Sequence, residues 1–159
     1  MAAQAIATVQ IPRHVVTLEE FERMAEASVF QEDARIELIQ GEIVEMTPIG
    51  LAHQVCVTRL TKLLVRRVED EAIVWPQNNS INLPDNSQPE PDVTLLKWRD
   101  DLYAGKSPSA EDVLLVIEVA DKPVRYDRDV KKALYARAAI PQYWFVNVQA
   151  IISRSTPTL

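Results

Sequence analysis

The stretch PEPDVTLL, residues 89–96, decides the fold because it places a carboxylate, Asp92, at the mouth of an apolar run. Aspartate disfavours the interior of a strand, so Asp92 fits best at the first position of one. A second run, VLLVIEVA at 113–120, is apolar almost throughout, which is typical of a strand covered on both faces. Glu118 lies near its end. If the two runs pair antiparallel as neighbours, Asp92 and Glu118 meet at one edge of a sheet.

Two carboxylates at one edge repel each other unless a cation or a shared proton offsets the repulsion. Hard divalent cations such as Mg²⁺ prefer oxygen ligands of this kind. The alternative is structural: Asp92 caps the turn after Pro91, and Glu118 pairs with a lysine such as Lys122. Because buried carboxylates are rare without a partner, the pair favours a functional site.

Helical and strand patterns surround these two runs. Thr17 and Glu20 form a capping-box pattern that begins a short helix in TLEEFERMAEA. Apolar and polar residues alternate on both sides of Gln40-Gly41, which predicts a hairpin in RIELIQGEIVEM. Apolar residues then recur at helical spacing from Leu51 to about Glu69.

The remaining predicted elements are strands AIVW (72–75), SINL (80–83) and QYWFVNV (142–148), a possible last strand AIISRS (150–155), and a helix from about Tyr126 to Ala139 stopped by Pro141. This order predicts fold class α/β or α+β, with a mixed β-sheet flanked by helices after an N-terminal helix and β-hairpin. We expect residues 1–16 to be a flexible N-terminal arm and residues 17–159 to form one domain.

Composition and charge limit the class of protein. The net charge of −6, from 23 acidic and 17 basic residues, counts against a protein that coats DNA by phosphate attraction. It does not exclude a nuclease, whose site gathers carboxylates around a cation. Cys56 is the only cysteine, which excludes a disulfide framework and favours a cytoplasmic protein. No apolar run approaches ~18 residues, so we expect no membrane span.

The quoted motifs carry a resemblance. PD at 91–92 followed by EVA at 118–120 resembles the PD-(D/E)xK nuclease superfamily. More closely, the ordered series RIELIQGEIVEM, PEPDVTLL, LLVIEVAD, YDRDVKKALYA and IPQYWFVN is similar to the Uma2 family of restriction-endonuclease-like proteins. The resemblance implies a restriction-endonuclease-like core that hydrolyses DNA phosphodiester bonds with Mg²⁺, or with Mn²⁺ in its place. Relative to that family, the domain at 17–159 looks shortened at its C-terminus.

The resemblance also implies roles for individual residues. The metal ligands would be Asp92, Glu118 and the main-chain carbonyl of Val119, and Glu37 matches a third acid of the site. The superfamily lysine normally stands two residues after the second acid, where this chain has Ala120.

Uma2-like sequences carry a lysine on the following helix instead, and Lys131 matches it. The implied catalytic set is therefore Glu37, Asp92, Glu118 and Lys131. Lys132 is adjacent, so the assignment could pass to it. Without the resemblance, an i, i+4 ion pair with Asp127 would be the preferred reading of Lys131.

Three hypotheses follow for the chain. The first is a Mg²⁺-dependent endonuclease acting on DNA as a homodimer that buries QYWFVN (142–147) or the neighbouring edge. The second is a non-catalytic nucleic-acid-binding or assembly module that keeps the nuclease fold. The third is a structural network in which Asp92 and Glu118 pair with Lys131. We expect His53 to be a packing or solvent residue, and Tyr135 either borders the site or packs helix against sheet.

Overall fold

The computed structural model describes residues 13–120 and 129–149 of the chain. Its helices are α1 (Leu18–Glu26), α2 (Leu51–Val68) and α3 (Lys131–Arg137); its strands are β1 (Ile36–Ile39), β2 (Glu42–Glu45), β3 (Ala72–Pro76), β4 (Val93–Lys97), β5 (Val113–Ala120) and β6 (Tyr143–Asn147). A short 3₁₀ turn, Ala110–Asp112, leads into β5. The mixed α and β class predicted from the sequence is confirmed.

The N-terminal helix and the hairpin form where their local signals predict them. The Thr17 hydroxyl accepts a hydrogen bond from the Glu20 N–H, and the Glu20 carboxylate accepts one from the Thr17 N–H. Gln40 and Gly41 join β1 to β2 with φ angles of 52° and 76°. A type I′ turn requires positive φ at both central residues, which explains the glycine.

The four other strands form one mixed sheet in the order β3-β4-β5-β6. β3 pairs antiparallel with β4, β4 pairs antiparallel with β5, and β5 pairs parallel with β6. Val93 at the start of β4 lies opposite Ile117 near the end of β5. The predicted meeting of a strand start with a strand end is therefore confirmed.

The sheet separates two apolar clusters. On one face, Val57 and Leu64 of α2 pack with Ile117 and the alternate residues beside it on β5. On the other face, Leu134 of α3 and the hairpin pack with Val116. Successive side chains of a strand point to opposite faces, so a residue at position 118 shares the face that meets α3 and the hairpin.

The segment SINL (80–83) is not the regular strand that its pattern predicts. Asn82 and Leu83 make only isolated bridges to other segments, and Pro84 begins a turn directly after them. The apolar residues of the pattern are nevertheless buried, with Ile81 and Leu83 both in the core. The apolar alternation in this segment predicted correctly that Ile81 and Leu83 are buried, but it predicted wrongly that the segment is a regular strand.

The last helix ends two residues earlier than the sequence predicts. The predicted start at Tyr126 lies outside the described residues, and α3 ends at Arg137 rather than Ala139. Ala139 has φ 56°, a left-handed conformation that ends a helix before Pro141 is reached.

Both ends of the chain extend past the described residues. Residues 1–12 of the predicted arm and the possible strand at 150–155 lie outside them. At the end of the predicted arm, the Val16 N–H donates to the Gly41 carbonyl at 3.0 Å, so this residue contacts the hairpin. None of the helices in the described ranges has the length and apolar character needed to cross a bilayer.

Candidate functional site

Asp92 and Glu118 lie opposite each other at one edge of the main sheet. The β4–β5 register, continued by one residue from Val93 and Ile117, places Asp92 directly across from Glu118. Opposite residues of an antiparallel pair share a face, with Cβ atoms about 5 Å apart. Both acids are buried, and together with Lys131 they line one cavity of about 480 Å³.

Polar groups from three segments hold the Asp92 carboxylate. Oδ2 accepts from the Val119 main-chain N–H at 2.7 Å and lies 3.1 Å from His53 Nε2. Oδ1 accepts from the Gln77 amide at 2.9 Å. The structural alternative, in which Asp92 only caps the turn after Pro91, does not account for these contacts with α2, β5 and the residue after β3.

Lys131 enters the same site from the first turn of α3. Its ammonium lies 3.2 Å from Glu118 Oε1 and 2.9 Å from Glu37 Oε1. Tyr135, one turn later, donates its hydroxyl to Glu118 Oε1 at 2.6 Å. Lys131 is 2 % exposed whereas Lys132 is exposed, so Lys131 is the lysine that reaches the acids.

The partners of these residues bear on the alternatives raised from the sequence. Lys122 and Asp127, the alternative partners of Glu118 and Lys131, lie outside the described residues. The ammonium of Lys131 pairs with Glu37 and Glu118, while Asp92 is held by other groups. The buried network therefore differs from one in which both strand acids pair with the lysine.

Glu37 lies behind Lys131 and outside the wall of the cavity. It is 1 % exposed, and its Oε1 accepts from the Lys131 ammonium and from the Glu90 N–H at 2.9 Å. Its Oε2 is buried without a hydrogen-bond partner among the described residues. Glu37 thus contacts the lysine of the site, while Asp92, Glu118 and Lys131 form the cavity surface.

Buried negative charge exceeds buried positive charge at this site. Burial raises the pKa of Glu118 to about 7; the Lys131 ammonium opposes this rise, and the charges of Asp92 and Glu37 add to it. Burial alone would lower the pKa of Lys131, but the carboxylates of Glu118 and Glu37 hold it above its ordinary value. Lys131 therefore stays charged, and Glu118 changes its protonation state near neutral pH.

The mouth of the cavity is formed by a segment that leads into α2. Residues 46–50 line it, together with Arg35 and Glu90. Burial raises the pKa of Glu90, and the nearby Glu37 charge adds to the effect. The Arg35 guanidinium donates to the Thr47 carbonyl at 3.1 Å, which ties β1 to this segment.

The donor set fits a divalent cation that keeps part of its hydration shell. The described residues contain no group of three or more His, Cys, Asp and Glu side chains able to hold a metal ion. Mg²⁺, however, is often bound by one or two carboxylates together with waters and substrate phosphates. Asp92 and Glu118 supply two carboxylates beside a cavity with excess negative charge.

The direction of the Val119 carbonyl follows from the hydrogen bond of its own N–H group. Within an antiparallel strand, the N–H and C=O groups of one residue point to the same neighbour. The Val119 N–H donates to Asp92, the residue before β4. The Val119 carbonyl therefore also points to the β4 side of β5. Val119 also lines the cavity.

Sequence reasoning missed two partners of Asp92. His53 was expected to be a packing or solvent residue, and it is buried at 6 % exposure against the Asp92 carboxylate. Its position four residues before Val57 on the buried side of α2 was a usable signal, because a buried polar side chain needs a partner. Gln77 follows β3 in a polar segment and carried no comparable signal.

Comparisons with known proteins were informative at the level of family and fold. The family described as "Uma2: Putative restriction endonuclease" matches residues 18–152. A solved structure described as a putative nuclease belonging to DUF820 from Anabaena variabilis ATCC 29413 is similar, with a TM-score of 0.62 and 15 % identity. The match covers 83 % of this chain and 74 % of that one, and it shows a shared fold. No curated protein matches the chain.

Proposed function

Because the chain belongs to the Uma2 family, we propose that it is a Mg²⁺-dependent endonuclease that hydrolyses phosphodiester bonds in DNA. The observation that carries the proposal is the pairing of Asp92 and Glu118 across two strands, beside the buried ammonium of Lys131, in one cavity. Strongly perturbed carboxylates in a cleft are typical of functional sites. The excess of buried negative charge supports a cation as the missing partner.

In this proposal, Asp92, Glu118 and the Val119 carbonyl hold Mg²⁺, and Mn²⁺ can replace it. When bound, a divalent cation lowers the pKa of the attacking water and neutralises phosphate charge. Burial raises the pKa of Glu118, the charges of Asp92 and Glu37 add to the rise, and such a cation would balance the negative charge of these carboxylates. Glu118 is then ionised at a pH where it is half protonated in the metal-free protein.

Lys131 contributes a fixed positive charge to the reaction. An ammonium group has three donors, and the contacts with Glu37 and Glu118 use two of them. The third donor remains for a phosphate oxygen or the attacking water, where developing negative charge needs stabilisation. Lys131 cannot be a metal ligand while protonated, so its role is separate from that of the two acids. Glu37 acts by holding this ammonium in place.

The non-catalytic binding or assembly module stays the second candidate. The position of Glu37 behind Lys131, outside the cavity wall, favours it over an enzyme with four residues in one pocket. The net charge of −6, which does not assist binding to a polyanion, favours the assembly form of this alternative over its nucleic-acid-binding form. Under this alternative the fold is retained, and the acids and the lysine form a structural network without turnover.

We also propose that the chain forms a homodimer through β6 and the adjacent surface of α2. Within the described residues β6 is the last strand in the order of the sheet, and edge strands are where sheets pair with another chain. Trp144 on β6 is 47 % exposed, and Leu51 and Leu63 of α2 are also exposed beside an apolar groove that reaches Val146. Light scattering should report a dimer at micromolar concentration; a monomer there would contradict the proposal.

The cytoplasmic location stays a prediction from the single cysteine.

Cleavage of DNA by purified variants tests the nuclease proposal. Supercoiled and linear DNA should be cut with Mg²⁺ or Mn²⁺ and left intact with a chelator. Asp92→Ala and Glu118→Ala should each lose activity by at least about 100-fold, as should Lys131→Ala through the loss of charge stabilisation. Glu22→Ala, which removes an exposed acid of α1, is the matched control and should cut like the wild type. Equal cleavage by the wild type and Asp92→Ala would indicate a contaminating nuclease and overturn the proposal.

A further inference from the structure

The contacts of Asp92 assign a role to a residue that the proposed nuclease function does not yet include. Resting on that function, we propose that His53 is a positioning residue for Asp92. It fixes the carboxylate so that one lone pair, on Oδ1, is left to bind the divalent cation. The role is distinct from catalysis, because His53 acts through Asp92.

The His53–Asp92 contact joins two elements that are distant in the chain. His53 lies in the first turn of α2, and its Nε2 is 3.1 Å from Asp92 Oδ2, with both side chains at least 92 % buried. An ionised carboxylate can only accept hydrogen bonds, so in this proposal Nε2 carries the proton. The ring has no second partner in the described part of the chain, since Nδ1 is buried without a hydrogen bond. Asp92 is therefore the group that the ring serves.

A count of lone pairs shows what this contact achieves. A carboxylate offers about four acceptor positions, two on each oxygen. The Val119 N–H and His53 occupy Oδ2, and the Gln77 amide occupies one position on Oδ1. The position that remains on Oδ1 is the one available to a cation. Asp92 would thus bind the cation through Oδ1 alone, because its protein partners occupy Oδ2.

Asp92 needs such support because its terminal torsion is soft. The χ2 angle of aspartate is broad, so the carboxylate plane is not set by rotamer preference. Val119 and Gln77 each hold a different oxygen, and His53 supplies the second donor to Oδ2 that excludes a cation from it. Without His53 the free positions are spread over both oxygens, and the metal geometry is less defined. Partners of this kind typically change metal affinity by 10–100-fold.

The binding of Mn²⁺ alone, measured by calorimetry and by electron paramagnetic resonance without DNA, tests the inference. His53→Ala should bind Mn²⁺ about 10–100-fold more weakly than the wild type. His53→Gln keeps an N–H donor and should recover part of the loss. Gln54→Ala removes an exposed neighbour on α2 and should bind like the wild type. Val57→Ala removes buried apolar atoms from the same helix, so it should lose stability while its Mn²⁺ affinity is unchanged.

The outcomes separate this inference from the proposed function. Unchanged Mn²⁺ affinity in His53→Ala, with normal binding by the wild type, would overturn the role of His53 and leave the nuclease proposal standing. An equal loss in Val57→Ala would also overturn it, since reduced stability would then explain both losses. A wild type that binds no Mn²⁺ would overturn the nuclease site and the inference together.

A measurement on the wild type keeps the inference testable if His53→Ala does not fold. Nitrogen-15 NMR of the histidine ring should show the proton on Nε2 of His53. The Nε2–H resonance should shift in Asp92→Asn, which alters its acceptor, and stay unchanged in Lys132→Met, which alters an exposed side chain outside the cavity lining. A proton on Nδ1 instead, or a resonance insensitive to Asp92→Asn, would overturn the inference.

Discussion

Replacing Lys131 with methionine should destabilise the metal-free protein strongly. The lysine is 2 % exposed, and its ammonium contacts Glu37 at 2.9 Å and Glu118 at 3.2 Å. Methionine fills a similar volume, so the loss is mainly one of charge. Removing one partner of a buried pair costs about 3–5 kcal/mol, because the other charge remains buried and uncompensated. At about 2–4 °C per kcal/mol for a chain of this size, the Tm should fall by about 6–20 °C.

Urea and thermal unfolding at pH 8 with chelator measure this loss. Lys132→Met, at the exposed neighbouring position, should change stability by no more than about 0.5 kcal/mol. The double variant Glu37→Gln/Lys131→Met should be more stable than Lys131→Met, because it removes one of the uncompensated charges. Equal stability of Lys131→Met and Lys132→Met would refute the buried pairing on which the site depends.

Three further predictions concern single positions. Burial raises the pKa of Glu118 from 4.5 to about 7, so between these pH values the folded state keeps a proton that the unfolded state loses. The free energy of unfolding of the metal-free protein, measured by urea titration, should therefore fall by about 3 kcal/mol from pH 4.5 to pH 7. Glu118→Gln should not show this fall. Gly41→Ala should lower the stability of the protein by at least about 1 kcal/mol in thermal melting, because φ is 76° and the new methyl group would collide with Val15. Gln40→Gly, at the other turn residue with positive φ, should not lower it. Tyr135→Phe should cost about 1–3 kcal/mol in urea through loss of the bond to Glu118; wild-type stability would show that this bond does not form.

The central strands could be predicted because their local and long-range signals agree. The run at 113–120 forms β5 over the same residues, since a strand covered on both faces needs apolar side chains at nearly every position. Asp92 precedes β4, as its poor strand propensity requires. The opposition of Asp92 and Glu118 then follows from antiparallel pairing in the register that places Val93 opposite Ile117.

The segment SINL failed because alternation reports which side chains are buried, and not what the backbone pairs with. Ile81 and Leu83 are core residues in an irregular segment that ends at a proline turn. Burial and pairing coincide only where a neighbouring strand is available over several residues.

The partners of the acids were the least predictable feature. His53 and Gln77 are 39 and 15 residues from Asp92, and they meet it only because α2 packs on the sheet and β3 pairs with β4. The family resemblance assigned Glu37 to the site, but its position outside the cavity lining depends on how the hairpin packs behind Lys131. The spacing of residues in one sequence does not indicate whether a side chain lines a cavity or lies behind its wall.

A crystal soaked in Mn²⁺ and measured for anomalous scattering tests the central claim most directly. The account predicts one strong peak in the cavity, bound by carboxylate oxygens of Asp92 and Glu118, and loss of that peak in Asp92→Ala. Lys131 should remain against Glu37 in both crystals, since the lysine is not a ligand. An Mn²⁺-soaked wild-type crystal without a peak between Asp92 and Glu118 would contradict the metal-dependent site.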